Sequence, residues 1–163
     1  MRILAIILII FFVGCQSPKK DCDFTFFKWN IHETFYLKFN SSDTLYYINT
    51  YPFEEQTSFT ILSSEEKEKI QNILDTLSFP KDKEFVNSSI EDGETYAFNL
   101  KNGKQFKTLK IHEYKGLNQF LRFGKSLEEI KSLHKFSQTN KKFDLNEINK
   151  ILIAPVPPPI IEK

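Results

Sequence analysis

Residues 94–112 read ETYAFNLKNGKQFKTLKIH and carry the clearest structural pattern in the sequence. In residues 95–100, successive side chains of a strand would point to opposite faces, so Tyr96, Phe98 and Leu100 fall on the same face. Asn102-Gly103 then supplies two residues that tolerate positive φ, which favours a two-residue type I′ turn. Alternation resumes after this turn. The stretch therefore predicts a β-hairpin with one face in the core.

Other strands are predicted on the N-terminal side of this hairpin. Glu33–Phe39 and Thr44–Tyr51 are rich in β-branched and aromatic residues, and the Asn-Ser-Ser-Asp sequence of residues 40–43 between them is typical of a turn. These three segments predict a second β-hairpin. Thr57–Leu62 predicts a further strand. The aromatic stretch Phe24–Trp29 is interpreted as an opening strand or a segment packed on the sheet, with insertion into a membrane interface as the alternative.

A first helix is predicted to begin at Ser63. Ser63 and Glu66 have the spacing of a capping box, in which each side chain accepts a hydrogen bond from the other residue's backbone N–H. The apolar residues that follow recur at helical spacing: Ile70, Ile73, Leu74 and Leu77. Near the C-terminus, residues 143–153 are compatible with a last strand or a short helix, and their apolar spacing favours the helix.

A second capping box indicates another helix. Ser126 and Glu129 have the required spacing, so we expect a helix from Leu127 to about Phe136. Before it, a short helical turn is expected to end at Gly124, because glycine is the preferred left-handed cap.

Together these elements predict an α+β fold, with an antiparallel sheet built from two β-hairpins and two or three amphipathic helices packed on one face. The predicted organisation is a signal peptide over residues 1–14, a lipidated tether over 15–23, a single α+β domain over 24–153 and a proline-rich tail over 154–163. The tail is expected to be extended like polyproline, either as a ligand for an aromatic groove or as a terminus lying on the surface.

The charge balance excludes some classes of partner. The chain has 22 Lys and Arg against 21 Asp and Glu, and removal of residues 1–14 would take away Arg2 and leave a neutral chain. No basic run is present, which argues against nucleic acid and against a polybasic grip on the membrane. The 17 Phe and 6 Tyr residues supply ample apolar surface for a globular core.

Residues 1–15 predict an export signal that ends in a lipid attachment site. Arg2 precedes the apolar run Ile3–Val13, which is shorter than the roughly 20 residues that a membrane-spanning helix needs. The sequence Phe12-Val13-Gly14-Cys15 resembles the lipobox of bacterial lipoproteins. That resemblance implies diacylation of the Cys15 thiol and cleavage just before it. The alternative is an ordinary secretory signal that ends near a cysteine.

Further resemblances extend this interpretation. Residues 62–66 and 92–103 resemble a domain of unknown function found in small lipoproteins of Bacteroidota, which implies location and fold class but no activity. Gln16 replaces the Asp that marks inner-membrane retention in some bacteria, which favours the outer membrane. Asp-Thr-Leu tripeptides around Thr44 and Thr76 resemble the O-glycosylation motif of that phylum, so both threonines are candidate modification sites.

No motif of a nucleophilic enzyme or a phosphate-binding loop is present. His32, His112 and His134 lack the spacing of metal ligands, so neither a metal nor another cofactor is expected. If lipid occupies Cys15, Cys22 has no partner in the chain, and it is interpreted as an unpaired thiol on a flexible stalk or as one half of an intermolecular disulfide.

The sequence favours a membrane-anchored, non-catalytic binding or accessory module with an envelope protein or glycan as partner. The alternative is a glycan-directed envelope hydrolase. Its carboxylates would come from Glu54, Glu55 or Glu113, and His112 beside Glu113 is a candidate acid–base pair.

Overall fold

A computed structural model describes residues 22–52 and 55–152 and confirms the α+β class. The elements in chain order are β1 (Cys22–Trp29), β2 (Thr34–Asn40), β3 (Thr44–Tyr51), β4 (Gln56–Ile61), α1 (Ser64–Thr76), β5 (Glu84–Val86), β6 (Thr95–Asn102), β7 (Gln105–His112), α2 (Asn118–Leu133), β8 (Ser137–Gln138) and α3 (Asn146–Leu152).

The strands form one eight-stranded sheet in the order β5-β7-β6-β1-β2-β3-β4-β8. Both predicted hairpins are present, as β2–β3 and β6–β7, and their strands pair antiparallel. The prediction of an antiparallel sheet made from two hairpins holds only in part, because β5 pairs parallel with β7. In the sheet, β4 lies next to one edge and β5 forms the other edge. The connection between these two strands contains α1.

Strand β1 lies at the centre of the sheet, and apolar side chains cover both of its faces. Phe24 and Phe26 belong to the larger core, where Phe24 contacts Phe123 of α2 with ring centroids 5.4 Å apart. On the opposite face Phe27 packs in a smaller cluster with Ile148 of α3. Alternate residues of one strand therefore serve two separate cores.

This arrangement corrects the prediction that all helices pack on one face. Residues of α1 and α2, such as Ile70 and Leu127, lie in the larger core, whereas Ile148 of α3 lies in the smaller one. The helix at residues 143–153 was the favoured interpretation and is confirmed as α3. It covers the second face because Phe27 and Tyr36 present aromatic rings there.

Helix α1 matches its prediction closely. The Ser63 hydroxyl accepts a hydrogen bond from the Glu66 backbone N–H at 3.2 Å, and the Glu66 carboxylate accepts one from the Ser63 N–H at 2.8 Å. The capping box is therefore complete.

Helix α2 differs from its prediction in both its start and its continuity. It runs unbroken from Asn118 to Leu133, so Gly124 is not a cap and Ser126 does not begin a helix. The Ser126 hydroxyl instead donates to the Phe123 carbonyl at 2.9 Å. A Cβ on Gly124 would lie 2.9 Å from Cε2 of Tyr96, so glycine is needed here for close packing and not for a left-handed turn.

The turn of the β6–β7 hairpin is shifted by one residue from its prediction. Asn102 pairs with Gln105, which leaves Gly103 and Lys104 as the loop. Gly103 has φ +61°, and Lys104 is not among the described residues with positive φ. A positive φ at the first loop position alone is the pattern of a type II′ turn, not type I′.

Cys22 is the first residue of β1 and not part of a flexible stalk. It is 5% exposed, and its backbone N–H donates to the Ser41 hydroxyl at 2.9 Å. The interpretation of a stalk thiol was therefore wrong. Cys15 and the proline-rich segment 154–163 lie outside the described residues.

The packing role of Gly124 gives a first test. We expect Gly124→Ala to lower the free energy of unfolding by up to about 2 kcal/mol. The new methyl group displaces the Tyr96 ring, which costs about 1–3 kcal/mol, and the higher helix propensity of alanine offsets about 1 kcal/mol of this cost. Lys125→Ala, at the exposed neighbouring position, is the matched control and should change stability little. A Gly124→Ala protein at least as stable as the wild type would contradict the packing argument.

Candidate functional site

A cluster of charged side chains lies where α2 crosses the sheet, and we call it the charged cluster. Its members are Lys28, Glu33, Glu94, Tyr96, Glu128 and Lys131. The sheet register builds it, because Lys28 of β1 lies directly beside Tyr96 of β6. Helix α2 supplies Glu128 and Lys131 from above, on two turns of one face.

Lys28 is at the centre of the charged cluster. Its side chain is only 8% exposed, and its ammonium lies 3.0 Å from Glu33 Oε1 and 4.0 Å from Glu94 Oε2. It also donates a hydrogen bond to Glu128. One ammonium thus contacts acids from three separate segments of the chain, which fixes β1 relative to α2.

Lys131 and Tyr96 complete the charged cluster. The Lys131 ammonium lies 2.7 Å from Glu33 Oε2 and 3.9 Å from the centroid of the Phe35 ring. The Tyr96 hydroxyl donates to Glu128. Ion pairs and a cation–π contact therefore hold the C-terminal half of α2 on the sheet.

The charged cluster keeps its groups in their usual charge states. Burial lowers the pKa of Lys28, but hydrogen bonds and charges from Glu128 and Glu33 outweigh it, so the pKa is raised overall. Burial raises the pKa of Glu33, but Lys131 and Lys28 outweigh it, so the pKa is lowered. Burial, and then Glu128, raises the pKa of the Tyr96 phenol far above its usual range. None of these three groups is tuned toward neutral pH, where general acids and bases work.

The direction of these shifts sets their contribution to stability. A lowered pKa in the folded state means that Glu33 stabilises the fold above its ordinary value of 4.5, and this is lost as the pH falls through the folded pKa. A raised pKa means that Lys28 stabilises the fold below its ordinary value of 10.5, and this is lost at higher pH. The charged cluster therefore stabilises the fold across the neutral range.

His112 and Glu113 do not form the acid–base pair considered from the sequence. His112 is 9% exposed, and its ring contacts the Thr95 hydroxyl at 2.8 Å through Nδ1 and the Ile90 carbonyl at 2.6 Å through Nε2. Glu113 turns away with φ 47°, and its carboxylate accepts the Glu94 backbone N–H at 2.7 Å. Both side chains therefore form hydrogen bonds with the backbone of the loop that precedes β6.

The remaining candidate carboxylates are Glu54 and Glu55. Glu54 lies outside the described residues. Glu55 lies at a surface hollow of about 660 Å³ whose other described lining residues are polar or basic: Gln56, Thr57, Gln138, Thr139, Asn140, Lys141 and Lys142. No second described carboxylate lines that hollow with Glu55, so the described residues alone do not assemble the two-acid geometry of a glycosidase there.

His134 lies at the C-terminal end of α2 and contacts side chains of two other segments. Its Nε2 lies 2.8 Å from Glu66 Oε1, and its Nδ1 lies 3.2 Å from the Thr60 hydroxyl. It therefore connects β4 to the start of α1. Within residues 22–52 and 55–152, no group of three or more His, Cys, Asp or Glu side chains is arranged to hold a metal ion.

A second candidate site lies under the start of α3, on the face opposite α1 and α2, and we call it the amide cleft. Its inner part has a volume of about 150 Å³ and opens beside an outer hollow of about 490 Å³ that shares Asp23, Lys38 and Lys101 with it. The other residues lining the inner part are Thr25, Asn99, Phe106, Asp144, Leu145, Glu147 and Ile148.

The register of the sheet explains the polar floor of the amide cleft. Thr25 of β1 pairs with Lys38 of β2 on one side and with Asn99 of β6 on the other. The Lys38 ammonium lies 3.3 Å from the Thr25 hydroxyl and also contacts Asp23. A row of polar side chains thus crosses three strands, next to the apolar cluster around Phe27.

The predicted glycosylation sites have different surroundings. Thr44 is the first residue of β3, and its hydroxyl lies 3.5 Å from Asp43 Oδ1. Thr76 is the last residue of α1, and its hydroxyl donates to the Asn72 carbonyl at 2.9 Å. The Thr76 hydroxyl is therefore engaged with helix backbone, whereas Thr44 lies beside a turn.

Sequence reasoning did not single out the charged cluster or the amide cleft. Lys28 and Asn99 are polar residues within strands whose neighbours are apolar, and that mismatch was the signal available. Lys28 falls on the same face as Phe26, so the period of two places its charge over the core. Glu128, which contacts Lys28, is 100 residues away in sequence, and no local pattern reveals such a contact.

Comparison with protein-family models and with curated proteins found no match for this chain. Among the described helices, none combines the length and the apolar character needed to cross a bilayer.

Removal of the central ammonium tests the charged cluster. We expect Lys28→Met to lower the free energy of unfolding by about 2–4 kcal/mol, because three carboxylates then face one another without their shared cation. The matched control is Lys150→Met, which breaks an exposed pair with Glu147 and should cost less than about 0.5 kcal/mol. Equal costs for the two variants in chemical denaturation would show that the charged cluster does not fix α2.

Proposed function

We propose that this chain is a lipid-anchored lipoprotein of the cell envelope that acts as a non-catalytic binding or accessory module. The lipobox-like sequence ending at Cys15 carries this proposal. A diacylated cysteine gives stable membrane attachment where a single acyl chain is marginal. The outer membrane is the proposed location, because Gln16 follows the cysteine.

The start of the domain supports this anchoring geometry. Strand β1 begins at Cys22, so only residues 16–21 separate it from the lipid site. Six residues span at most about 20 Å when fully extended. One end of the sheet carries Cys22, the turn at residues 41–43 and the turn at residues 103–104. This end of the sheet would therefore be held close to the bilayer.

The electrostatics of the charged cluster support a non-catalytic role. The directions of its pKa shifts hold Lys28 protonated and Glu33 ionised near neutral pH, and they hold the Tyr96 phenol neutral. A catalytic acid or base needs a pKa near the working pH. The partner of such a module is proposed to be an envelope protein or a glycan.

O-glycosylation is a further proposal for protein made in the native host. Thr44 is the better placed of the two candidates, since the Thr76 hydroxyl already donates to helix carbonyls. Peptide mass spectrometry that finds both tripeptides unmodified would end this proposal.

The two cysteines allow a matched test of the anchor. We expect the wild-type protein to incorporate a labelled fatty acid and to fractionate with membranes, and Cys15→Ala to lose both properties because the acylated thiol is gone. Cys22→Ser is the control, since Cys22 is buried in β1, and it should keep the label and the membrane fraction. An intact wild-type protein that retains Met1, or a labelled Cys15→Ala protein, would contradict the proposed anchor.

A further inference from the structure

We propose that the amide cleft is a binding site for a neutral saccharide. This inference deepens the proposed binding role and rests on it, because it names the class of ligand that such a module would hold. Three observations carry it: a buried amide oxygen without a donor, a balanced set of charged groups, and aromatic rings at the mouth.

The buried amide belongs to Asn99. The residue is 8% exposed, and its Oδ1 is fully buried with no hydrogen-bond donor among the described residues. An unsatisfied buried acceptor costs about 1–3 kcal/mol, so its presence in a sheet needs an explanation. Asn99 lines the inner part of the amide cleft, so a ligand hydroxyl can donate to this oxygen once the side-chain amide rotates from its closed position toward the cleft.

Groups around Asn99 supply both donors and acceptors. Thr25 is 4% exposed and carries a hydroxyl on the neighbouring strand, and Lys38 already donates to it. Asp144 enters from the α3 side, where its Oδ1 accepts the Asn146 backbone N–H at 2.9 Å and caps that helix. A sugar hydroxyl both donates and accepts, so it matches a wall of mixed polarity better than a pure donor or a pure acceptor does.

The charges of the inner part favour a neutral ligand. Two lysines, Lys38 and Lys101, face three carboxylates from Asp23, Asp144 and Glu147. Lys38 is paired with Asp23, and Glu147 is paired with Lys150. Because neither sign dominates, the lining attracts neither anions nor cations selectively.

Aromatic rings at the mouth provide the apolar part of a saccharide site. Phe106 of β7 is 46% exposed and lines the amide cleft, with the Lys101 ammonium 5.4 Å from its ring centroid. Phe143 and Tyr46 line the outer hollow, with ring centroids 4.7 Å apart. Sugar rings present C–H faces that pack on such surfaces, while their hydroxyls reach the polar floor. At about 490 Å³, the outer hollow is within the range of about 300–1,000 Å³ typical of ligand pockets.

The test uses the full-length lipidated protein in detergent and five probes in titration calorimetry. Chitotriose, cellotriose, maltotriose and mannotriose represent neutral saccharides, and tri-galacturonate represents an acidic one. We expect saturable binding of at least one neutral probe. Asn99→Leu and Phe106→Ala should each weaken that binding by about tenfold or more, the loss of about 1.4 kcal/mol of binding free energy.

Stability measurements separate a binding role from a structural one. Because Asn99→Leu removes an unsatisfied polar atom and keeps a similar volume, its melting temperature should equal or exceed that of the wild type while binding falls. Phe106 is exposed, so Phe106→Ala keeps the test valid if the first variant folds poorly. Tyr51→Ala is the matched aromatic control, since Tyr51 is 50% exposed at the opposite end of the sheet, and it should bind normally.

Three results would overturn the proposal. The first is no saturable binding of any neutral probe, which would leave the buried Asn99 amide as a feature of the sheet alone. The second is tighter binding of tri-galacturonate than of the neutral probes. The third is unchanged affinity in both cleft variants. Fatty-acid labelling at Cys15 is measured separately, so failure of saccharide binding would leave the proposed anchor intact.

Discussion

Strand β1 is buried on both of its faces, and the sheet and its helices are arranged around it. β1 pairs with β2 on one side and with β6 on the other, so its backbone is hydrogen-bonded along both edges. Phe26 is fully buried beneath α2, and Phe27 is 7% exposed beneath α3. At about 1.5–3 kcal/mol for each large side chain buried, these aromatic residues supply much of the hydrophobic stabilisation of the domain.

The same strand organises both candidate sites. Lys28, near the end of β1, is the central cation of the charged cluster, whereas Thr25 lies near its start in the floor of the amide cleft. The two sites face opposite sides of the sheet because of the period of two along the strand. In the proposed orientation the amide cleft lies at the end near the lipid, and the charged cluster lies at the far end, where it fixes α2.

Local patterns predicted what local interactions determine. The capping box at Ser63 and the two hairpins follow from side chains within a few residues of one another. Gly124 was misread because its glycine requirement comes from the Tyr96 ring, which is distant in sequence. Strand β5 was not predicted, because it has three residues and only Phe85 is partly buried. Its sequence therefore shows no alternation of apolar and polar residues long enough to indicate a strand. The charged cluster and Asn99 depend on sheet register, which a single sequence does not specify.

Hydrogen exchange of the full-length protein tests the central role of β1 most directly. We expect amides of β1, such as that of Phe26, to exchange only through global unfolding and to be the most protected in the domain. Amides of the edge strand β8, Ser137–Gln138, should exchange much faster, since that strand has two residues and pairs on one side only. Exchange of the β1 amides as fast as those of β8 would contradict the account.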